Sequence, residues 1–352
     1  MTKIVAGLGE RFRLQAGYCR GAGSPLTADV LDAAADDLVA GGPVADLLRP
    51  LVEDPPGSVP ALRLAGALHR LVLERRAPEL ALHYPSVGGT PGDVGPVAVR
   101  TVREHLDELR ELVQRPVQTN EVGRSSALLG ALIGIQQRTR LPIRLLELGA
   151  SGGLNLLVDR YAHEVADGVV LGDPASPVRL ERPWQGRHPA YVTPQVVERR
   201  GCDPGPLDPT STADRLTLTS YVWADQVHRF ERLRAALQVA AQDPPVVERS
   251  GAAAFLEREL ATPRPGVATV VWHSVVRQYV APAERDAMDE LLEQAGWRAT
   301  RDAPLSHVEL EPEKGEPRFL LGLRVWPGGR RRTLAECQGH GPPVVWRPTS
   351  KV

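Results

Sequence analysis

The chain has 352 residues, with 42 basic and 43 acidic side chains and a formal net charge of -1. Charges that nearly cancel, with no basic run longer than Arg330-Arg331-Arg332, argue against a nucleic-acid partner. An apolar content of 42% beside 24% charged residues excludes a disordered or fibrous chain and supplies a sizeable core.

Cys19, Cys202 and Cys337 are widely spaced and form neither a C-x-x-C pair nor a Cys/His cluster. Neither a disulfide framework nor a zinc site is therefore expected. No apolar core of signal-peptide length precedes Glu10 and Arg11, and no stretch approaches the length of a membrane span. The expectation is a cytoplasmic protein with a small-molecule partner, no nucleic acid and no membrane; the oligomeric state stays open.

In chain order, Leu8 to about Arg115 reads as helical. Ala28 to Leu38, Val59 to Arg76 and Val97 to Val113 carry apolar residues at three- and four-residue spacing between Pro/Gly breaks. Residues 1–117 are taken as an N-terminal helical cap region and 118–352 as the core. A helix is predicted over Val122 to Gln137, then a strand over Ile143 to Leu148. The turn Gly149-Ala150-Ser151-Gly152-Gly153 follows, and then a helix-compatible stretch to Tyr161.

Residues 162–212 are rich in Pro and Gly, longer than an ordinary connection, and read as an insertion of hairpins or a lid. Beyond them, Tyr221 to Ala241 (helix), Pro245 to Glu248 (strand), Ala252 to Leu260 (helix), Val267 to His273 (strand) and Pro282 to Ala295 (helix) alternate. That alternation predicts βαβ units and a parallel sheet. Val308 to Leu310, Arg318 to Trp326 and Val344 to Trp346 suit an antiparallel finish, with a tight turn at Trp326-Pro327-Gly328-Gly329. The fold class expected is α/β, a Rossmann-like and mainly parallel sheet.

The turn after Leu148 supports two readings. Glu147-x-Gly149-x-Ser151-x-Gly153 resembles the acidic-x-G-x-G-x-G motif of S-adenosylmethionine-dependent methyltransferases, with Ser151 in place of the middle glycine. The resemblance implies that Glu147, Gly149, Ala150, Ser151, Gly153 and Asn155 hold that cofactor. The same residues also spell G-x-S-x-G, the nucleophile elbow of serine hydrolases, with Ser151 as nucleophile. That reading needs strands and an oxyanion loop upstream, where the chain reads as helices, and a later His such as His273, His307 or His340.

Thr269 to Tyr279 resembles the fourth strand of methyltransferases, which places His273 as candidate base with Asp225, Arg277 and Tyr279 orienting the acceptor. The plain alternative is a buried histidine satisfied by a backbone group. Pro245 to Ala253, with Glu248, resembles the third strand and its adenine loop. The acid expected to meet ribose hydroxyls is Asp173, Glu198 or Asp203, and the choice stays open. Gln118, Asn120 and Arg124 are candidate substrate-binding residues at the start of a helix, where Asn120 as cap and Glu121 toward the dipole are the structural alternatives. Trp223 beside Gln226 suggests substrate stacking, and Asp225 with Arg229 an i,i+4 pair on one helix.

Taken together, QTNEVGRS, LLELGASGGLNLLVDRY, RRGCDPGPLD, SYVWADQVHRFERLRAAL and TVVWHSVVRQYV resemble, in order and spacing, the bacterial domain-of-unknown-function family 2332 over nearly the whole chain. The resemblance implies one unit whose methyltransferase-like core carries its own helical cap and insertion, and implies no reaction. The functional expectation is S-adenosylmethionine binding with methyl transfer to a small molecule. Its rivals are a non-catalytic ligand- or partner-binding protein on the same fold, and a serine hydrolase using Ser151.

Overall fold

The computed structural model describes residues 2–54, 56–316 and 318–347. Two compact units divide the chain: Met1–Thr119 with Thr212–Arg234, and Asn120–Ser211 with Ala235–Val352.

The first unit is helical, with helices Thr2–Gly21, Pro25–Ala40, Pro43–Leu48, Pro60–Leu73, Val94–Glu104, Leu106–Leu112 and Thr212–Ser220. Prolines open several of them, where a missing N–H costs nothing. Gly41, at φ +77, closes Pro25–Ala40 with its N–H on helix carbonyls. Phe12, Leu31, Leu38, Leu47, Leu64 and Leu71 lie in its buried core. The helix expected over Val97 to Val113 is two helices meeting at His105.

Sequence alone placed residues 212–234 with the core, and three contacts explain why they group with the helices instead. Gly66 leaves room for the Tyr221 ring, since a Cβ there would lie 2.6 Å from Tyr221 Cε1. Tyr221 Oη donates to the Pro116 carbonyl at 3.1 Å. Buried His69 donates through Nδ1 to the carbonyls of Val222 (2.9 Å) and Ser220 (3.2 Å). Burial lowers this imidazole to about 4, so it stays neutral and serves as internal cement. The predicted helix over Tyr221 to Ala241 begins later, at Val227, and runs to Gln242, with residues 221–226 non-helical between it and the helix Thr212–Ser220.

The second unit is α/β. Its strands are β1 (Ile143–Leu148), β2 (Ala162–Ala166), β3 (Val169–Gly172), β4 (Arg179–Glu181), β5 (Trp184–Gly186), β6 (Val196–Asp203), β7 (Val247–Arg249), β8 (Ala268–Ser274), β9 (Leu305–Pro312), β10 (Phe319–Trp326), β11 (Arg330–Gln338) and β12 (Gly341–Trp346). Nine form one sheet in the order β5-β12-β11-β10-β9-β8-β1-β6-β7. The run β7-β6-β1-β8-β9 is parallel throughout, and β9 to β12 continue as antiparallel neighbours.

β1 and β8 are buried along their whole length, as central parallel strands covered on both faces are. One face carries Leu145, Trp272, Val308 and Leu310 against the helix Ser125–Thr139, where Gly130 admits the Trp346 ring. The other carries Leu146, Leu148 and Val271 against Ala252–Glu259 and Pro282–Arg298. The result is a Rossmann-like α/β fold whose chain order reverses between β1 and β8, the place where such sheets open a crevice at their carboxyl ends.

Residues 162–212 are only partly an insertion. β2, β3 and β4 form a separate three-stranded sheet, β5 pairs with β12 at the far edge, and β6 is a core strand beside β1. The second-strand position therefore belongs to Val196–Asp203, with Asp203 as its last residue. Of the other two candidate acids, Asp173 lies in the turn between β3 and β4, and Glu198 pairs with Arg144 and Arg264.

Candidate functional site

At the carboxyl end of β1 the backbone reverses through left-handed residues: Gly149 (φ +65), Ser151 (φ +53) and Gly153 (φ +72). Glycine adopts this region freely, whereas Ser151 does so at a cost of about 1 kcal/mol. Both glycines also sit in tight contact. A Cβ on Gly149 would approach Val276 Cγ2 to 2.6 Å, and one on Gly153 would approach Pro245 Cγ to 2.7 Å.

The turn's donors are largely engaged within the protein. Ala150 N donates to Cys202 O (2.9 Å), Ser151 N to Asp203 Oδ2 (3.0 Å), Gly153 N to Ala150 O (2.7 Å) and Leu154 N to Asn120 Oδ1 (2.8 Å). Asp203 also accepts from Gly205 N at 2.8 Å, so the strand-end acid clasps two loops together. The helix expected after the turn is a run of 3-10 turns, Leu154–Arg160, with Leu157 outside helical geometry.

The cap expected of Asn120 is supplied by Glu121. Glu121 accepts from Gly123 N at 2.9 Å and caps the turn Val122–Arg124, while Asn120 reaches across to hold the glycine turn.

Beneath the turn lies Glu147, fully enclosed. Its Oε1 accepts from Trp272 Nε1 at 3.2 Å, and the Asn155 amide also donates to it. Burial pushes this carboxyl up to about 8 against the opposing pull of those bonds and of the Arg124 guanidinium, so it is neutral at neutral pH. Glu147 Oε2 and Asn155 Oδ1 are buried without a hydrogen-bond partner. Arg124, itself buried, donates to Gly339 O at 2.9 Å and to Ser274 O at 3.2 Å, tying the end of β8 to the hairpin before β12.

His273, the residue after Trp272, points to the opposite face of the sheet. Its Nδ1 lies 2.7 Å from Glu311 Oε1 and its Nε2 3.0 Å from His307 Nε2. The same Glu311 oxygen accepts from Val276 N (3.0 Å) and Arg277 N (3.3 Å). Burial would raise Glu311, but the His273 hydrogen bond, with those amides, holds it below the usual carboxylate range. Burial, and then positive charge nearby that includes the guanidinium groups of Arg277, Arg331 and Arg324, keep His307 well below its ordinary value. With both ring nitrogens engaged and no exposed surface, His273 is part of a network and not a base open to an acceptor. Nor is it placed as the imidazole a Ser151 nucleophile requires.

Arg277 is held bidentately by Asp289, at 2.7 Å to each oxygen, and Tyr279 is exposed. Glu248, on edge strand β7, pairs with Arg258 and Arg200.

Four predicted site residues fall in the helical unit. Asp225 accepts from Ser24 Oγ and from Leu26 N (2.9 Å), capping Pro25–Ala40 from a distant part of the chain. Gln226 donates to Ala22 O at 2.7 Å and accepts from Arg229 at 2.6 Å. Trp223 lies in the helical core with the Arg229 guanidinium 5.5 Å from its ring. The expected placement of Asp225 and Arg229 on one helix does not form, because residues 221–226 are not helical. Gln118 is half-buried in the extended segment before Asn120.

Sequence reading passed over Glu309 and Glu311. The signal present was alternation: His307-x-Glu309-x-Glu311 puts three polar side chains on one face of β9, within a strand otherwise buried. Among the described residues no helix is long and apolar enough to cross a membrane.

No curated protein and no solved structure matches the chain. A family model described as an uncharacterized protein conserved in bacteria (DUF2332) matches residues 9–346, and the chain belongs to that family.

Proposed function

We propose that the α/β unit binds S-adenosylmethionine beside the turn after β1 and transfers its methyl group to a small molecule. The observation that carries this reading is the pair of buried oxygens without a partner, Glu147 Oε2 and Asn155 Oδ1, under a small-residue turn at the point where the strand order reverses; Oε2 becomes an acceptor once Glu147 gives up its proton. A buried polar atom without a partner costs about 1–3 kcal/mol, and one hydrogen-bond donor placed between them relieves it. The ammonium of an amino-acid group is such a donor.

When bound, S-adenosylmethionine supplies an electrophilic methyl group. The chain's own part is to orient and to exclude water, which is most of what an in-line displacement needs. Asn120 and Asp203 hold the turn rigid through Leu154 N and Ser151 N, and Trp272 fixes the Glu147 carboxyl. A cation arriving beside neutral Glu147 favours its ionised form, so binding expels a proton.

Titration calorimetry with S-adenosylmethionine and S-adenosylhomocysteine, repeated in buffers of different ionisation enthalpy, tests the reading. Binding of both is expected, with proton release near neutral pH that Glu147→Gln abolishes. Absence of binding of either at millimolar concentration overturns it. One observation favours a second reading, a ligand-binding protein without catalysis: the turn's N–H groups are mostly engaged by the protein itself. Binding without methyl transfer across a panel of small nucleophiles would select that reading.

A further inference from the structure

On the face of the sheet away from Glu147, β8 and β9 run parallel with His273 beside Glu309 and Val271 beside His307. His273, His307 and Glu309 each bring one ligand-type atom into a group whose members all lie within 4.8 Å of one another. The two imidazole Nε2 atoms are 3.0 Å apart. Two nitrogens bound at the usual zinc distance around a tetrahedral ion stand about 3.3 Å apart, so the rings already hold nearly the required separation.

The surroundings orient them. Glu311 Oε1 receives two backbone N–H groups besides His273 Nδ1, so it acts as acceptor, the proton sits on Nδ1, and the Nε2 lone pair faces His307. A carboxylate behind the outer nitrogen of a ligating histidine is the usual support of a metal-bound imidazole. Room for the third ligand comes from β10: Gly322 stands opposite Glu309, and a Cβ there would lie 2.9 Å from Glu309 Oε1.

Charge permits a cation. Arg277 is paired with Asp289, Arg324 with Glu293 and Arg331 with Glu309, while Glu311 adds a further negative charge. The Arg331 side chain is mostly exposed and free to swing out. His307 and Glu309 retain slight exposure, which gives an ion a way in.

We propose that His273 Nε2, His307 Nε2 and a Glu309 carboxylate oxygen bind a divalent transition-metal ion of the zinc class, with Glu311 as the residue that positions His273. Two histidines and one carboxylate leave a coordination position open to water or substrate.

The full chain, stripped with chelator and dialysed, is titrated with Zn²⁺ by calorimetry and with Co²⁺ by visible absorption. One saturable ion per chain is expected, with the absorption of tetrahedral or five-coordinate Co²⁺. His307→Asn and Glu309→Gln should each abolish the saturable site. Glu311→Gln should weaken it about 10–100-fold, and Gly322→Ala should weaken it without altering any ligand. Glu147→Gln, on the other face, should leave Zn²⁺ affinity unchanged, which separates this test from that of cofactor binding. If His307→Asn does not fold, Glu309→Gln and Gly322→Ala decide. No saturable uptake by the wild-type chain, or uptake undiminished in a folded Glu309→Gln protein, overturns the proposal and leaves Glu311, His273 and His307 as a structural hydrogen-bonded chain.

Discussion

Asp225 in the helical unit is a half-buried carboxyl group and Glu147 in the α/β unit a fully buried one, and they differ in what surrounds them. Asp225 accepts a hydroxyl and a backbone N–H, completing the end of a helix. Glu147 meets donors on one side only, is neutral at neutral pH and leaves Oε2 unmatched, with Asn155 Oδ1 unmatched beside it. A carboxylate whose two oxygens each accept a hydrogen bond stabilises a fold. One held neutral and incomplete stores a demand that a ligand can meet. By this criterion Asp225 is cement, whereas Glu147 keeps one oxygen open to a ligand.

The largest expected effect concerns the pH dependence of stability. Glu147 titrates at about 8 in the folded chain against an ordinary 4.5. Between those values the folded state holds a proton that the unfolded state has released. The contribution of Glu147 to stability is therefore fullest below about pH 4.5 and falls as pH rises toward 8, by an amount on the order of 4 kcal/mol. Glu147→Gln removes this slope, since the amide does not titrate. Urea unfolding of both proteins at several pH values measures it, and parallel slopes would mean that Glu147 is ionised in the fold.

Each unit also carries its own glycine–aromatic lock. Gly130 would place a Cβ 2.1 Å from Trp346 Cζ2, and Gly66 one 2.6 Å from Tyr221 Cε1. Gly130→Val and Gly66→Val should each cost about 3 kcal/mol by overpacking. Hydrogen exchange followed by mass spectrometry should show faster exchange in Ser125–Thr139 and β12 for the first, and in Pro60–Leu73 for the second. Equal acceleration everywhere in both variants would show that the units open as one, and would remove the basis for contrasting them.

Legibility followed the same division. β1 is read from sequence to the residue, because an apolar run between a proline and a glycine cluster has one stable interpretation. The parallel alternation and the antiparallel finish follow from period and spacing. β11 was missed because it opens with three arginines, and β5 because three residues at a sheet edge carry no pattern. The helix expected after Gly153 became 3-10 turns, an outcome set by tertiary contacts. In the site, Glu147, Gly149, Ser151 and Gly153 were visible because they are contiguous. The His273 network was not, because its members come from two strands whose pairing only the fold supplies. The i,i+4 arrangement of Asp225 and Arg229 assumed a helix over residues 221–226, where the chain instead bonds to His69 and packs against Gly66.

The smallest effect gives the sharpest check on that division. Ser24 occupies the N-cap position of Pro25–Ala40 but makes no cap bond of its own; its hydroxyl instead donates to Asp225, which also takes the N–H of Leu26. Asp225→Ala removes a charged acceptor from two donors and should cost about 1–2 kcal/mol. Asp225→Asn, which keeps one acceptor oxygen, should cost about half of that. Because the role is structural, both variants should bind S-adenosylmethionine and Zn²⁺ within about twofold of the wild-type chain at a pH and temperature where they are folded, a difference under about 0.5 kcal/mol. Denaturant unfolding combined with the two calorimetric titrations decides it. Loss of cofactor affinity in a folded Asp225→Asn protein would return Asp225 to the site and show that a fully hydrogen-bonded carboxylate had been dismissed too readily as cement.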